Sequence, residues 1–134
     1  MSLRTLAAGA REAGPVLVVE DDLDIRQAIA ELLADEGYEC ILAENGLAAL
    51  EALDLRTPSL VLTDLVMPVM NGVELIAHLQ SDARWSDLRV VVMTAVGDRI
   101  IGVDLATLMV PVVNKPVDVA SLLQVLAGHS AGSA

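Results

Sequence analysis

An α/β fold, one five-stranded parallel sheet covered by helices on both faces, is what this 134-residue sequence predicts. Three observations carry the prediction. Short apolar runs alternate with segments whose apolar residues recur at helical spacing. Hydrophobic residues make up 54% of the chain, yet Tyr38 and Trp85 are the only aromatic ones and Phe is absent, an aliphatic bias typical of buried parallel strands under helices. The length suits one domain with a real core and leaves no room for a second ordinary one.

The elements follow in order. Residues 1–14 read as a flexible leader, rich in small residues and closed by the Gly14-Pro15 breaker. Val16 to Val19 is a short buried strand, and Ile25, Ala28, Ile29, Leu32 and Leu33 mark a helix that Gly37 ends. Glu39 to Ala43 is a second strand; Leu47, Leu50 and Leu53 mark a helix that stops before Thr57-Pro58. Leu60 to Thr63 is the third strand, followed by a Pro68/Gly72 loop and a helix through Val73, Ile76 and Leu79. Arg89 to Met93 is the fourth strand, residues 100–108 a short, strongly apolar helix, and Val110 to Val113 the fifth strand. Asp118 caps a last helix through Leu122, Leu123 and Leu126. The domain thus runs over residues 15–128, with residues 129–134 a loose tail or the start of a linker.

Alternating β and α units imply right-handed crossovers and a parallel sheet. Pro111 within the fifth strand cannot donate to a ladder, so that strand belongs at an edge. The flavodoxin-like order 2-1-3-4-5 satisfies this and puts the ligand crevice at the carboxyl ends of strands one and three. Those are the strands that run into Glu20-Asp21-Asp22 and into Asp64.

The net charge of -11, with only 8 Lys and Arg in all, argues against nucleic-acid binding and against attachment to an anionic membrane surface. Every long segment is interrupted by charge, so no membrane span is expected, and the start lacks the apolar stretch of a signal peptide. Cys40 is the only cysteine, which leaves no intrachain disulfide and no Cys-based metal signature and fits a reducing, cytoplasmic setting. His78 and His129 read as surface residues, and Trp85, in the polar stretch Ser81 to Asp87, as an exposed or half-buried aromatic.

Carboxylates converging at one sheet end repel each other, and a hard divalent cation bound through oxygen relieves the repulsion. Mg2+ needs only one or two carboxylates, waters and a phosphate oxygen. Lys115, after the fifth strand, would hold another phosphate oxygen as a point charge. Asp64 then has the means to take a phosphoryl group onto its own oxygen, as an aspartyl phosphate. Thr94 and Ala95 close the fourth strand, a hydroxyl that can contact such a group beside a small residue that leaves it room.

Together, Val18-Val19-Glu20-Asp21-Asp22 with Asp24-Ile25-Arg26, Asp64 with Met67-Pro68-x-Met70-x-Gly72, Thr94-Ala95 and Lys115-Pro116 resemble the receiver domain of two-component response regulators. The resemblance implies phosphotransfer from a sensor histidine kinase or phosphotransfer protein to Asp64, with Mg2+ required. It implies that Asp21 binds the metal directly, Glu20 through water and Val66 through its backbone carbonyl, and that the Lys115-Pro116 bond is cis. It further implies a domain that catalyses only its own phosphorylation and dephosphorylation, and signals by a conformational switch. The output would be a downstream protein contact or a homodimer, through the helix expected at 100–108 and the fifth strand. The departure from the family is Val112, where Tyr or Phe is usual, together with Leu108-Met109-Val110-Pro111 in place of the usual Gly-Ala. This puts aromatic switching in question, and not phosphoryl acceptance. Val66 and Val96, at the positions that tune hydrolysis in the family, cannot orient an attacking water, so slow self-dephosphorylation is expected. Two other readings compete: a degenerate receiver that binds a partner without phosphorylation, and a haloacid-dehalogenase-like phosphohydrolase. The latter wants a second aspartate two residues after the nucleophile, where this chain has Val66.

Overall fold

A computed structural model describes residues 14–95 and 110–127. Nine elements are formed: β1 (Val16–Val19), α1 (Leu23–Asp35), β2 (Cys40–Ala43), α2 (Gly46–Leu55), β3 (Leu60–Asp64), α3 (Gly72–Ser81), β4 (Arg89–Thr94), β5 (Val112–Asn114) and α4 (Val119–Leu126). The strands make one sheet in the order β2-β1-β3-β4-β5, and every pairing is parallel. The expected helix at 100–108, Val96, the leader up to residue 13 and the tail from residue 128 lie outside the described residues. No helix among the described residues is long and apolar enough to cross a membrane.

Side chains alternate between the faces of a strand, and the sequence exploits this on both sides. Val16, Val18, Leu60, Leu62, Val91, Met93 and Val113 face Ile29 and Leu33 of α1 and Leu122, Leu123, Val125 and Leu126 of α4. Leu17, Val19 and Val61 face Leu53 of α2 and Leu75 and Leu79 of α3. β1 and β3 are buried along their whole length, as befits the centre of a doubly covered sheet.

Each described helix starts on a side-chain cap. Asp22 accepts from the Ile25 N–H at 3.0 Å, Asn45 from Ala48 at 2.8 Å and Asp118 from Ser121 at 2.7 Å. At α3, Asn71 and Glu74 form a reciprocal capping box. Caps of this kind are worth about 1 kcal/mol each. Gly37 follows α1 with φ +88, a left-handed turn that glycine makes without steric cost.

Two expectations need correction. β5 begins at Val112, so Pro111 lies just before the strand rather than inside it; its carbonyl accepts from the Val92 N–H at 2.9 Å. The edge position of β5 stands. Trp85 is neither exposed nor half-buried: it is 7% exposed, packs with the core between the sheet, α2 and α3, and carries the Arg84 guanidinium 4.0 Å above its ring. A large apolar ring closing a core edge outweighs the polarity of the turn around it. Cys40 is half-buried on edge strand β2, where burial, with a smaller contribution from the Glu39 charge, pushes its thiol up to about 11.

Candidate functional site

The strands' carboxyl ends bring the acids and the lysine together. Val19 pairs with Thr63, so Glu20 and Asp64, one residue further along each strand, stand level. Asp64 is itself the last residue of β3, paired with Met93, and Thr94 follows Met93 at the end of β4. The Lys115 N–H donates to the Thr94 carbonyl at 2.7 Å, which ties the lysine's backbone to the end of β4. The Lys115-Pro116 peptide bond is cis, as the family resemblance implied.

Lys115 Nζ lies 3.0 Å from Glu20 Oε2 and 3.1 Å from Asp64 Oδ2. The ammonium therefore bridges two carboxylates that are almost fully buried, Glu20 at 1% and Asp64 at 3% exposed. Asp64 Oδ1 accepts from the Leu65 N–H at 2.8 Å, and Glu20 Oε1 from the Asp22 N–H at 3.3 Å. Burial is the largest influence on Glu20; the Lys115 contact opposes it, the Asp64 charge adds to it, and the carboxyl is pushed up to about 7. For Lys115, burial pulls the other way, but its contacts with Glu20 and Asp64 hold the ammonium above its ordinary value.

One oxygen from each of Glu20, Asp21 and Asp64 falls within 4.8 Å of the others. These donors fit a hard divalent cation: all are carboxylate oxygens, Asp21 is exposed where it can be approached, and Glu20 Oε2 is buried without an aligned hydrogen bond. Its 3.0 Å contact with Lys115 Nζ is ionic and leaves lone pairs for a metal or its water. Val66 stands exposed in the loop after β3. Thr94 is 8% exposed at the mouth of the same end, and Ala95, half-buried, follows it.

The loop from Leu65 to Asn71 is tightly held. The Gly72 N–H donates to the Leu65 carbonyl at 2.9 Å, and the Met70 carbonyl accepts from the Gly46 N–H at 3.0 Å. A Cβ on Gly72 would come within 2.3 Å of the Asp64 carbonyl oxygen, so only glycine lets α3 start this close to the site. Val69 has φ 68, and across it the Met70 N–H reaches the Pro68 carbonyl at 2.7 Å. This is a γ-turn of the strained, positive-φ kind, made by an exposed β-branched residue.

Sequence reading missed three contributors. Arg26, which reads as a solvated or ion-paired helix residue, instead donates from Nη1 to the Glu20 carbonyl at 2.7 Å. The Leu65 N–H on Asp64 is a main-chain group that no residue type advertises. The third is the Asn71–Glu74 capping box, whose signal was present though unread: an amide or hydroxyl residue three positions before a glutamate marks a helix start.

The geometry has counterparts in known proteins. The model of the response regulator receiver domain family matches residues 16–127. The phosphate regulon transcriptional regulatory protein PhoB of Pseudomonas aeruginosa is 37% identical over 83 residues, 62% of this chain and 36% of PhoB. Chemotaxis protein CheY1 of Helicobacter pylori is 38% identical over 86 residues, 63% of this chain and 69% of CheY1. The crystal structure of a response regulator receiver protein from Pseudomonas putida superposes with a TM-score of 0.74 at 29% identity, covering 84% of this chain and 94% of that one. The chain spans half or less of the length of the first curated relatives it matches.

Proposed function

The chain belongs to the receiver domains of two-component response regulators, and we propose that Asp64 is its phosphoryl acceptor, served by Glu20, Asp21, Lys115 and Thr94. The observation that carries the reading is the single ammonium of Lys115 within 3.1 Å of both Glu20 and Asp64, beside an acidic trio whose oxygens fall within 4.8 Å.

In the transfer, an Asp64 oxygen attacks the phosphorus of a phosphohistidine on a sensor kinase or phosphotransfer protein. The P–N bond breaks as the P–O bond forms, and the imidazole leaves with a proton. Asp64 Oδ1 is fixed by the Leu65 N–H, so Oδ2, whose partner is the mobile end of a lysine, is the oxygen that attacks. Lys115 follows the charge from Asp64 onto a phosphoryl oxygen. The Thr94 hydroxyl meets the group from the next strand, and Ala95 keeps the space beside it open. Asp21, Asp64, the Val66 carbonyl and, through water, Glu20 would hold Mg2+, which would supply charge neutralisation for the acceptor and phosphoryl oxygens. Val66 offers no group to orient water, which favours slow loss of the phosphoryl group.

The domain spans residues 15–128 and acts on a downstream protein or a second copy of itself, without contacting nucleic acid or membrane directly. Incubation with Mg2+ and acetyl phosphate should add one phosphoryl group by intact mass to the wild type and none to Asp64→Asn. No adduct on the wild type, or one that survives the substitution, overturns the assignment; the former favours the degenerate receiver. Once formed, the adduct should persist for minutes or longer after the donor is removed, and loss within seconds would remove the role given to Val66.

A further inference from the structure

We propose that Arg26 is a positioning residue for the cation site, acting through the main chain of Glu20. The inference rests on the reading of Glu20, Asp21 and Asp64 as that site. Besides its ion pair with Lys115 at Oε2, Glu20 is held at three atoms: its N–H donates to the Ala43 carbonyl at 3.0 Å, its Oε1 accepts from Asp22 N–H at 3.3 Å, and its carbonyl accepts from Arg26 Nη1 at 2.7 Å. The last is a charge-assisted hydrogen bond, the strongest class a neutral carbonyl can make. Asp22 in turn caps α1 through the Ile25 N–H, and the Arg26 N–H bonds back to the Asp22 carbonyl at 2.9 Å.

The turn from β1 to α1 is therefore closed from both ends by the first turns of the helix. Asp21 sits between these two anchors. Its carboxylate is exposed, and among the described residues no hydrogen bond or ion pair holds its side chain; its position is set by the backbone on either side. A ligand without side-chain support depends on its main chain, and among the described residues Arg26 is the one side chain that grips that main chain on the strand side. Among the described residues Arg26 makes no ion pair, so its guanidinium is committed to this contact rather than shared with a surface acid.

Charge and positioning predict opposite effects of removing it. As a mere cation near three acids, Arg26 would repel Mg2+, and its loss would tighten metal binding. As a positioning group its loss loosens Glu20 and Asp21 and weakens binding, by about tenfold for a hydrogen-bond partner just behind the ligands. Arg26→Gln and Arg26→Lys separate the two, because Lys keeps the charge and loses the fork.

Mg2+ titration of wild type and both variants by calorimetry, with amide hydrogen exchange of the metal-free proteins alongside, tests the proposal. Expected are an about tenfold higher Kd for both variants and faster exchange at Asp21 and Asp22, with native circular dichroism. An unchanged or lower Kd for Arg26→Gln, or unchanged exchange at Asp21, overturns the positioning role while leaving the site itself intact. Failure of the wild type to bind Mg2+ overturns the site reading and this inference with it, and is seen before any variant is made.

Discussion

The two halves of the site rest on very different parts of the sheet. Its acids come from the ends of β1 and β3, central strands buried over every residue. Its cation comes from the end of β5, a three-residue edge strand paired only with β4, whose first residue is half-buried and whose last is exposed. The groups proposed to hold the metal and to act as nucleophile stand at the ends of fully buried strands. The Lys115 ammonium, proposed to pass from one anion to another, follows a peripheral strand, at the end of a flexible side chain. Of the two, the β5 edge is the less tied down by packing.

Truncating one core residue on each strand tests this contrast most severely. Leu62→Ala, in fully buried β3, should cost about 3–4 kcal/mol in urea unfolding. Val113→Ala, the one buried residue of β5, should cost about 1–2 kcal/mol, for fewer atoms removed and a looser edge. Equal losses would mean that β5 is as firmly built in as β3.

The next effect is a pH dependence confined to the acid half. Burial raises the Glu20 carboxyl from 4.5 to about 7, so the metal-free folded protein keeps a proton that the unfolded chain releases. This group's contribution to stability is accordingly most favourable below pH 4.5, declines as pH rises toward about 7 and then levels off. Lys115, held above its ordinary value by its contacts with Glu20 and Asp64, stays charged throughout that window. Glu20→Gln should flatten the slope of the urea midpoint between pH 5 and 7 in EDTA. Since binding a cation expels the Glu20 proton, Mg2+ affinity should also rise from pH 6 to pH 8, and a calorimetric Kd that is flat with pH would contradict the shift.

The smallest effect concerns the loop between the halves. Val69, exposed and at φ 68, pays for a conformation that Asn adopts readily. Val69→Asn should raise stability by about 1 kcal/mol, read as a higher urea midpoint with unchanged slope. A loss would show that the Val69 side chain has a packing role its exposure does not suggest.

The fold was legible because burial on a parallel sheet leaves a plain mark. Val16 to Val19 and Leu60 to Thr63 are unbroken apolar runs, and Pro111 pointed to the edge even though it lies one residue outside β5. Glu20, Asp64 and Lys115 were legible for a related reason: each is a charge at or directly after the end of a strand, and strand order then brings the three together. Trp85 was not, because its neighbours Ser81, Asp82, Arg84, Ser86 and Asp87 are polar and only the third dimension brings α2 and α3 over its ring. Thr94 and Ala95 were named from their place at a strand end, and the Lys115 N–H on the Thr94 carbonyl appears only once β4 and β5 are paired.

The sequence by itself determined the number and faces of the described strands, the edge position of β5, and which acids and which lysine share one end of the sheet. Hydrophobic periodicity and strand-terminal charge are local properties, and local properties survive in one dimension. Tertiary structure alone decided that one Lys115 ammonium bridges both Glu20 and Asp64, that Arg26 grips the Glu20 main chain, and that α3 begins so near Asp64 that residue 72 must be glycine. Those are distances of a few ångströms between atoms, several of them main-chain atoms common to every residue, and only the packed chain fixes them.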